Sequence, residues 1–134
     1  MRIEHLAIWT HRLEDMKNFY VTYFEAHSNE KYFNPKKQFS SYFLTFSDGA
    51  RLELMHRADL SKLASRATEG NHAAPVQGLA HFAVSLGNKA KVDALTERLR
   101  TDGYQIVGEA RTTGDGYYES VVADPDGNLV ELTV

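Results

Sequence analysis

Two stretches of the chain carry the same alternating pattern of apolar and polar residues. Ile3-Glu4-His5-Leu6-Ala7-Ile8-Trp9 and Leu79-Ala80-His81-Phe82-Ala83-Val84-Ser85 each place a His at the third position. A period of two predicts strands, here over about residues 2–9 and 79–86. After each strand the period changes to three or four, the spacing of an amphipathic helix. Leu13, Met16, Phe19, Tyr20, Tyr23 and Phe24 form the first stripe, and Val92, Ala94, Leu95 and Leu99 the second, with Gly103 as a helix stop. Strands follow at 39–47 and 51–56, joined through Ser47-Asp48-Gly49-Ala50, and again at 117–123 and 128–134, joined through Asp124-Pro125-Asp126-Gly127-Asn128. Asp-Gly between alternating runs is a hairpin signal. A strand near 104–109 and a weaker one within 27–34 complete a β-α-β-β-β order twice.

The repetition has a register. His81 follows His5 by 76 residues, and Glu131, in Val130-Glu131-Leu132, follows Glu53, in Leu52-Glu53-Leu54, by 78. Two imperfect halves explain this better than a solenoid. The expected fold class is α+β: two β-α-β-β-β modules, 1–56 and 78–134, with the helices on the outer face of a mixed sheet. Residues 57–77 read as the linker, with a short helix near 59–67, and residues 1–134 as a single domain.

Strand parity separates the repeated residues from the core. Leu6 and Ile8 lie opposite His5, Ala7 and Trp9, and Leu52 and Leu54 lie opposite Arg51, Glu53 and Met55. Phe82 and Val84 likewise oppose His81, and Val130 and Leu132 oppose Glu131. If the apolar parity covers the helices, His5, Glu53, His81 and Glu131 share the other side. Taken singly, a strand His is a hydrogen-bonded residue and a Glu a solvated charge. A Glu between two core residues in both halves is costly unless something neutralises it. Imidazole and carboxylate donors at matched positions make a divalent-metal site the better reading, for Ni, Co, Fe, Mn or Zn.

Composition narrows the rest. The chain has 134 residues, 43% hydrophobic, with a net charge of −3 and no basic stripe, so nucleic acid is not an expected partner. No apolar run approaches the roughly 18–20 residues of a membrane span. The N-terminus enters strand-like sequence at once, with no secretory signal expected. Cysteine is absent, which removes disulfides, thiolate metal sites and cysteine nucleophiles; a cytoplasmic location is the default expectation. His11, His27, His56 and His72 have no counterpart in the other half and read as surface or packing residues. Phe39, Tyr42, Phe43 and Phe46 read as core and pocket wall, Trp9 and Tyr117–Tyr118 as the mouth of a cavity, and Gly114-Asp115-Gly116 as a turn.

Paired β-α-β-β-β modules with His5, Glu53, His81 and Glu131 resemble the vicinal oxygen chelate superfamily, and most of all its bacterial glyoxalase I branch. The Asp124–Leu132 stretch is the most specific part of the likeness. The resemblance implies modules curling into a cup-shaped sheet around one divalent metal, Ni or Zn first, with Co, Mn or Fe as alternatives. It implies a homodimer, and a small-molecule substrate such as the thiol adduct of an α-ketoaldehyde. The expected activity is that of a metal-dependent lyase or isomerase, moving a proton through a metal-bound enediolate. Glu131 or Glu53 would be the base, and His5 and His81 would be ligands. Glutathione-using relatives carry an Arg four residues past the first His, where this chain has Trp9; they also commonly have Gly where Glu25-Ala26 follows the first helix. The superfamily alternatives are an extradiol-type dioxygenase, a thiol transferase, an epimerase and a non-catalytic drug-binding protein. The complete ligand quartet favours the lyase.

Overall fold

The computed structural model describes residues 2–61 and 78–134. The chain divides into two compact units that part at residues 63 and 64. In the first, β1 (His5–Trp9), α1 (Leu13–Phe24), β2 (His27–Ser28), β3 (Tyr32–Asn34), β4 (Phe39–Thr45) and β5 (Arg51–Arg57) follow one another. In the second, β6 (Phe82–Ser85), α2 (Lys89–Thr101), β7 (Ile106–Thr112), β8 (Tyr118–Ala123) and β9 (Leu129–Thr133) do so. Each unit has its own mixed sheet, ordered β1-β5-β4-β2 with β3 also on β4, and β6-β9-β8-β7. This is the expected α+β arrangement. The weak strand within 27–34 is broken in two, both pieces antiparallel to β4.

Why the sheets form in this order follows from the connections. The hairpins β4–β5 and β8–β9 are antiparallel. The first strand of each unit pairs parallel to the last, a pairing that requires a long crossover, which the helix provides. The parallel register is the same in both units: Ala7 lies opposite Glu53, and Ala83 opposite Glu131.

Each core sits between a helix and the apolar parity of its sheet. Leu13, Met16, Phe19, Tyr20 and Phe24 of α1 are buried, as are Tyr42, Leu44, Leu52 and Leu54 of the sheet. In the second unit Val92 and Leu99 meet Val122, Val130 and Leu132, all fully buried. Each such side chain contributes about 1.5–3 kcal/mol through its removal from water. Ala94 is exposed, contrary to the sequence pattern, and Thr96 takes the buried place. Its hydroxyl bonds the Val92 carbonyl and Ser120 Oγ, each at 2.7 Å, which satisfies the polar groups that the apolar pattern could not include.

The two helix ends differ. Gly103 follows α2 with φ of 87°, as the sequence suggests, whereas α1 ends on Glu25 with φ of 54°. The β8–β9 turn is built on Asp124, which is buried. Its carboxylate accepts from the backbone N–H of Asp126 (3.0 Å) and of Asn128 (2.9 Å), and from Asn128 Nδ2. That cage fixes the turn, and the turn fixes the register of β9. Gly114-Asp115-Gly116 is a turn, closed by the Thr113 N–H to the Tyr117 carbonyl. Most of the helix expected near 59–67, and all of His72, lie outside the described residues. No helix among the described residues is long and apolar enough to cross a membrane.

Candidate metal centre

On the face of the first sheet opposite α1, the His5 Nε2 stands 3.9 Å from Glu53 Oε2. On the matching face of the second, the His81 Nε2 stands 3.4 Å from Glu131 Oε2. His81 lies one residue before β6, so each His precedes by two positions the strand residue that pairs with its Glu. The carboxylates are well covered, with side chains 15% and 18% exposed, whereas the imidazoles are 40% and 48% exposed. The structure therefore brings the four expected residues together as two pairs, one in each unit. Among the described residues no group of three or more His, Cys, Asp or Glu side chains is placed to hold a metal ion.

The donor chemistry fits a divalent cation. Two donors about 2.1 Å from one tetrahedral cation stand about 3.4 Å apart. The His81–Glu131 pair has that spacing, and His5–Glu53 would have to close by about half an ångström. Neither pair alone fills a coordination shell, since structural and catalytic sites use three or four protein ligands.

The surroundings of the pairs differ. Burial, followed by the neighbouring Glu119 carboxylate, pushes Glu131 above the ordinary range for a glutamate. Glu119 is well covered and pairs with Arg111 at 3.4 Å. In the first unit Glu4 accepts a hydrogen bond from His5 Nδ1 at 2.5 Å and is held by Arg51, with Nε at 2.8 Å. The bond from His5, followed by the contacts from Arg51, holds Glu4 below the ordinary carboxylate range. The Arg51 guanidinium lies over the Phe43 ring at 4.2 Å, and Phe43 packs edge-on against His5 at 5.5 Å between ring centres. A search for repeated residues passes over Glu4, Arg51, Phe43 and Glu119, because none recurs in the opposite unit. Strand parity was the available signal for Arg51, Phe43 and Glu119.

Trp9 lies at the far end of the His5 face, 46% exposed and edge-on to Phe39. It lines a cleft of about 230 Å³ with Arg57, Asp59, Leu60 and Ser61. Arg57 is neutralised there by two bonds to Asp59, at 2.9 and 2.6 Å. Arg12 stands off the strand at the start of α1, bonded to Asp15. Tyr118 bonds Asp93 of α2 at 2.6 Å and so belongs to the helix side, whereas Tyr117 is exposed. The His56 ring bonds the Thr10 carbonyl at 2.9 Å and meets His11, a packing role; His27 is exposed on β2.

A profile of the Glyoxalase/Bleomycin resistance protein/Dioxygenase superfamily matches residues 2–132. The protein YqjT of Bacillus subtilis (strain 168) is 40% identical over 58 residues, 41% of this chain and 45% of that protein. Among solved structures, glyoxalase I from Zea mays superposes with a TM-score of 0.77 at 23% identity, over 98% of this chain and 44% of that one. The chain thus spans under half the length of either of these relatives. The trypanothione-dependent glyoxalase I of Leishmania major gives 0.72 at 20% identity, over 99% and 86%. A glyoxylase/bleomycin resistance protein/dioxygenase domain from Frankia sp. EAN1pec gives 0.80 at 15%, over 100% and 97%. At these identities the structures bear on the fold alone.

Proposed function

We infer that this chain, which belongs to the Glyoxalase/Bleomycin resistance protein/Dioxygenase superfamily, is a divalent-metal-dependent lyase or isomerase of the glyoxalase I type. Its substrate would be a small carbonyl compound or its hemithioacetal with a thiol. The observation that supports this most is the repeated pair: His5 with Glu53 and His81 with Glu131, in the same register on the same face of each sheet. The two pairs would supply four ligands to one Ni or Zn ion, from one chain or from the two chains of a homodimer. A bound divalent cation would stabilise the negative charge that develops on two neighbouring substrate oxygens.

The chain's own residues do the rest. His5 and His81 hold the site, and a carboxylate, Glu131 or Glu53, takes a proton from one carbon and returns it to the next. The cover over both carboxylates keeps bulk water from competing for that proton. Among the described residues that line the cleft beside Trp9, the one cation, Arg57, is already neutralised by Asp59 and so is not free for a substrate carboxylate. This supports a thiol other than glutathione.

The test is thioester formation from methylglyoxal and glutathione, followed by ultraviolet absorbance, on the Ni-reconstituted protein. Turnover that Glu131→Gln lowers by about 10²-fold or more, the range of a general base, supports glyoxalase I. Absence of turnover in protein shown to hold Ni removes glutathione and moves the assay to other thiols. Metal content and activity both unchanged in Glu53→Gln and Glu131→Gln would sink the metal reading.

A further inference from the structure

The two histidines are not held alike. An ionised carboxylate only accepts hydrogen bonds, so the 2.5 Å contact between His5 Nδ1 and Glu4 Oε2 places the imidazole proton on Nδ1. The other nitrogen, Nε2, then carries the lone pair, and it is the one that faces Glu53. Glu4 is itself fixed: Arg51 bonds its Oε1 through both Nε and a terminal nitrogen, and the Arg51 backbone N–H bonds the Glu4 carbonyl at 3.0 Å. Phe43 packs under Arg51 and against His5, which restrains the ring from turning. Among the described residues of the second unit there is no equivalent. Ala80 precedes His81 as Glu4 precedes His5, Leu129 stands two residues before Glu131 as Arg51 does before Glu53, and Val121 pairs with Glu131 as Phe43 pairs with Glu53.

We propose that Glu4, clamped by Arg51, is a positioning residue that sets the tautomer and angle of His5 for metal binding. This rests on the metal reading above. A carboxylate behind a ligating imidazole fixes its tautomer and raises its basicity, and its loss typically weakens metal binding about 10–100-fold.

The test has two readouts, both on the full chain and neither dependent on turnover. In the metal-free protein, at a pH above the ordinary imidazole range, nitrogen-15 long-range correlation spectra report which His5 nitrogen is protonated. The expected result is Nδ1–H in the wild type and a shift toward Nε2–H in Glu4→Ala. Calorimetric titration with Ni²⁺ alone should show affinity about 10–100-fold weaker in Glu4→Ala. Glu4→Gln, which keeps an acceptor oxygen, should restore most of the Nδ1–H form. Glu4 is exposed, so these variants should fold; thermal denaturation checks it. Nε2–H in the wild type overturns the proposal. So does Ni²⁺ affinity of Glu4→Ala within about twofold of wild type while His5→Ala binds weakly, and that result leaves the metal reading standing. Unchanged affinity in His5→Ala overturns both.

Discussion

At the scale of single residues, the symmetry of the chain holds for the donors and fails for what surrounds them. Glu53 lies beside Arg51 and Phe43, whereas Glu131 faces a second carboxylate, Glu119, across the β8–β9 pair. Away from the site, Glu14 shows how one charge ties several elements. It accepts from Lys31 Nζ at 2.9 Å, pairs with Lys17 at 3.2 Å, and takes the Tyr42 hydroxyl at 3.1 Å. The bond from Lys31, followed by those from Lys17 and Tyr42, lowers the Glu14 carboxyl from its ordinary 4.5. A depressed carboxyl stabilises the fold above the unfolded-state value, and that stability is lost as pH falls through the folded one. Glu14 is half exposed, so the contribution is that of a screened surface network, about 0.5–1 kcal/mol. Glu14→Gln should therefore lower Tm by about 1–4 °C at neutral pH. The difference from wild type should vanish well below pH 4.5, as scanning calorimetry across that range would show.

At the scale of elements, the end of α1 carries local strain. A left-handed conformation costs a residue with a Cβ roughly 1–2 kcal/mol, and Glu25 adopts one with φ of 54°. Glycine would remove that cost and return part of it as lost chain entropy. Glu25→Gly should accordingly stabilise the protein by about 0.5 kcal/mol, a Tm rise of about 1–3 °C. A fall in Tm would mean that the Glu25 side chain contributes more than its backbone loses. The change lies on the helix side, away from the His5 face, so Ni²⁺ affinity should stay the same. The β8–β9 turn is the opposite case. Its Asp124 cage satisfies two backbone donors and the Asn128 side-chain amide at once, which gives a physical reason for the Asp-Pro-Asp-Gly-Asn sequence at the place where Glu131 is set in register.

At the scale of the whole molecule, the question is whether the two pairs serve one cation. One ion bound by both would stabilise the chain by about 2.7 kcal/mol at a hundred times its dissociation constant. That should appear as a Tm rise of about 5–10 °C on adding Ni²⁺, reversed by chelator. In a shared site, His5→Ala and His81→Ala should each lose most of the shift. If each variant keeps about half of it, the modules bind separately and the four-ligand site is wrong.

Much of this molecule is legible in its sequence. Periods of two and of three to four placed nearly every strand and both helices, because burying one face of an element imposes its spacing on the sequence directly. Repetition at offsets of 76 and 78 residues singled out His5, Glu53, His81 and Glu131, and parity put them opposite the core. Where the pattern misled, the cause was polar. Thr96 is buried because Ser120 satisfies it, and Tyr118 turns to the helix because Asp93 receives its hydroxyl. The tertiary structure alone decided which donors meet. The parallel pairing of first and last strands brings His5 to Glu53 and His81 to Glu131 across intervals of 48 and 50 residues. It also decided what supports them. Glu4 and Arg51 are 47 residues apart and occur once, so no periodicity marks them; only the register that lays β1 beside β5 makes them neighbours.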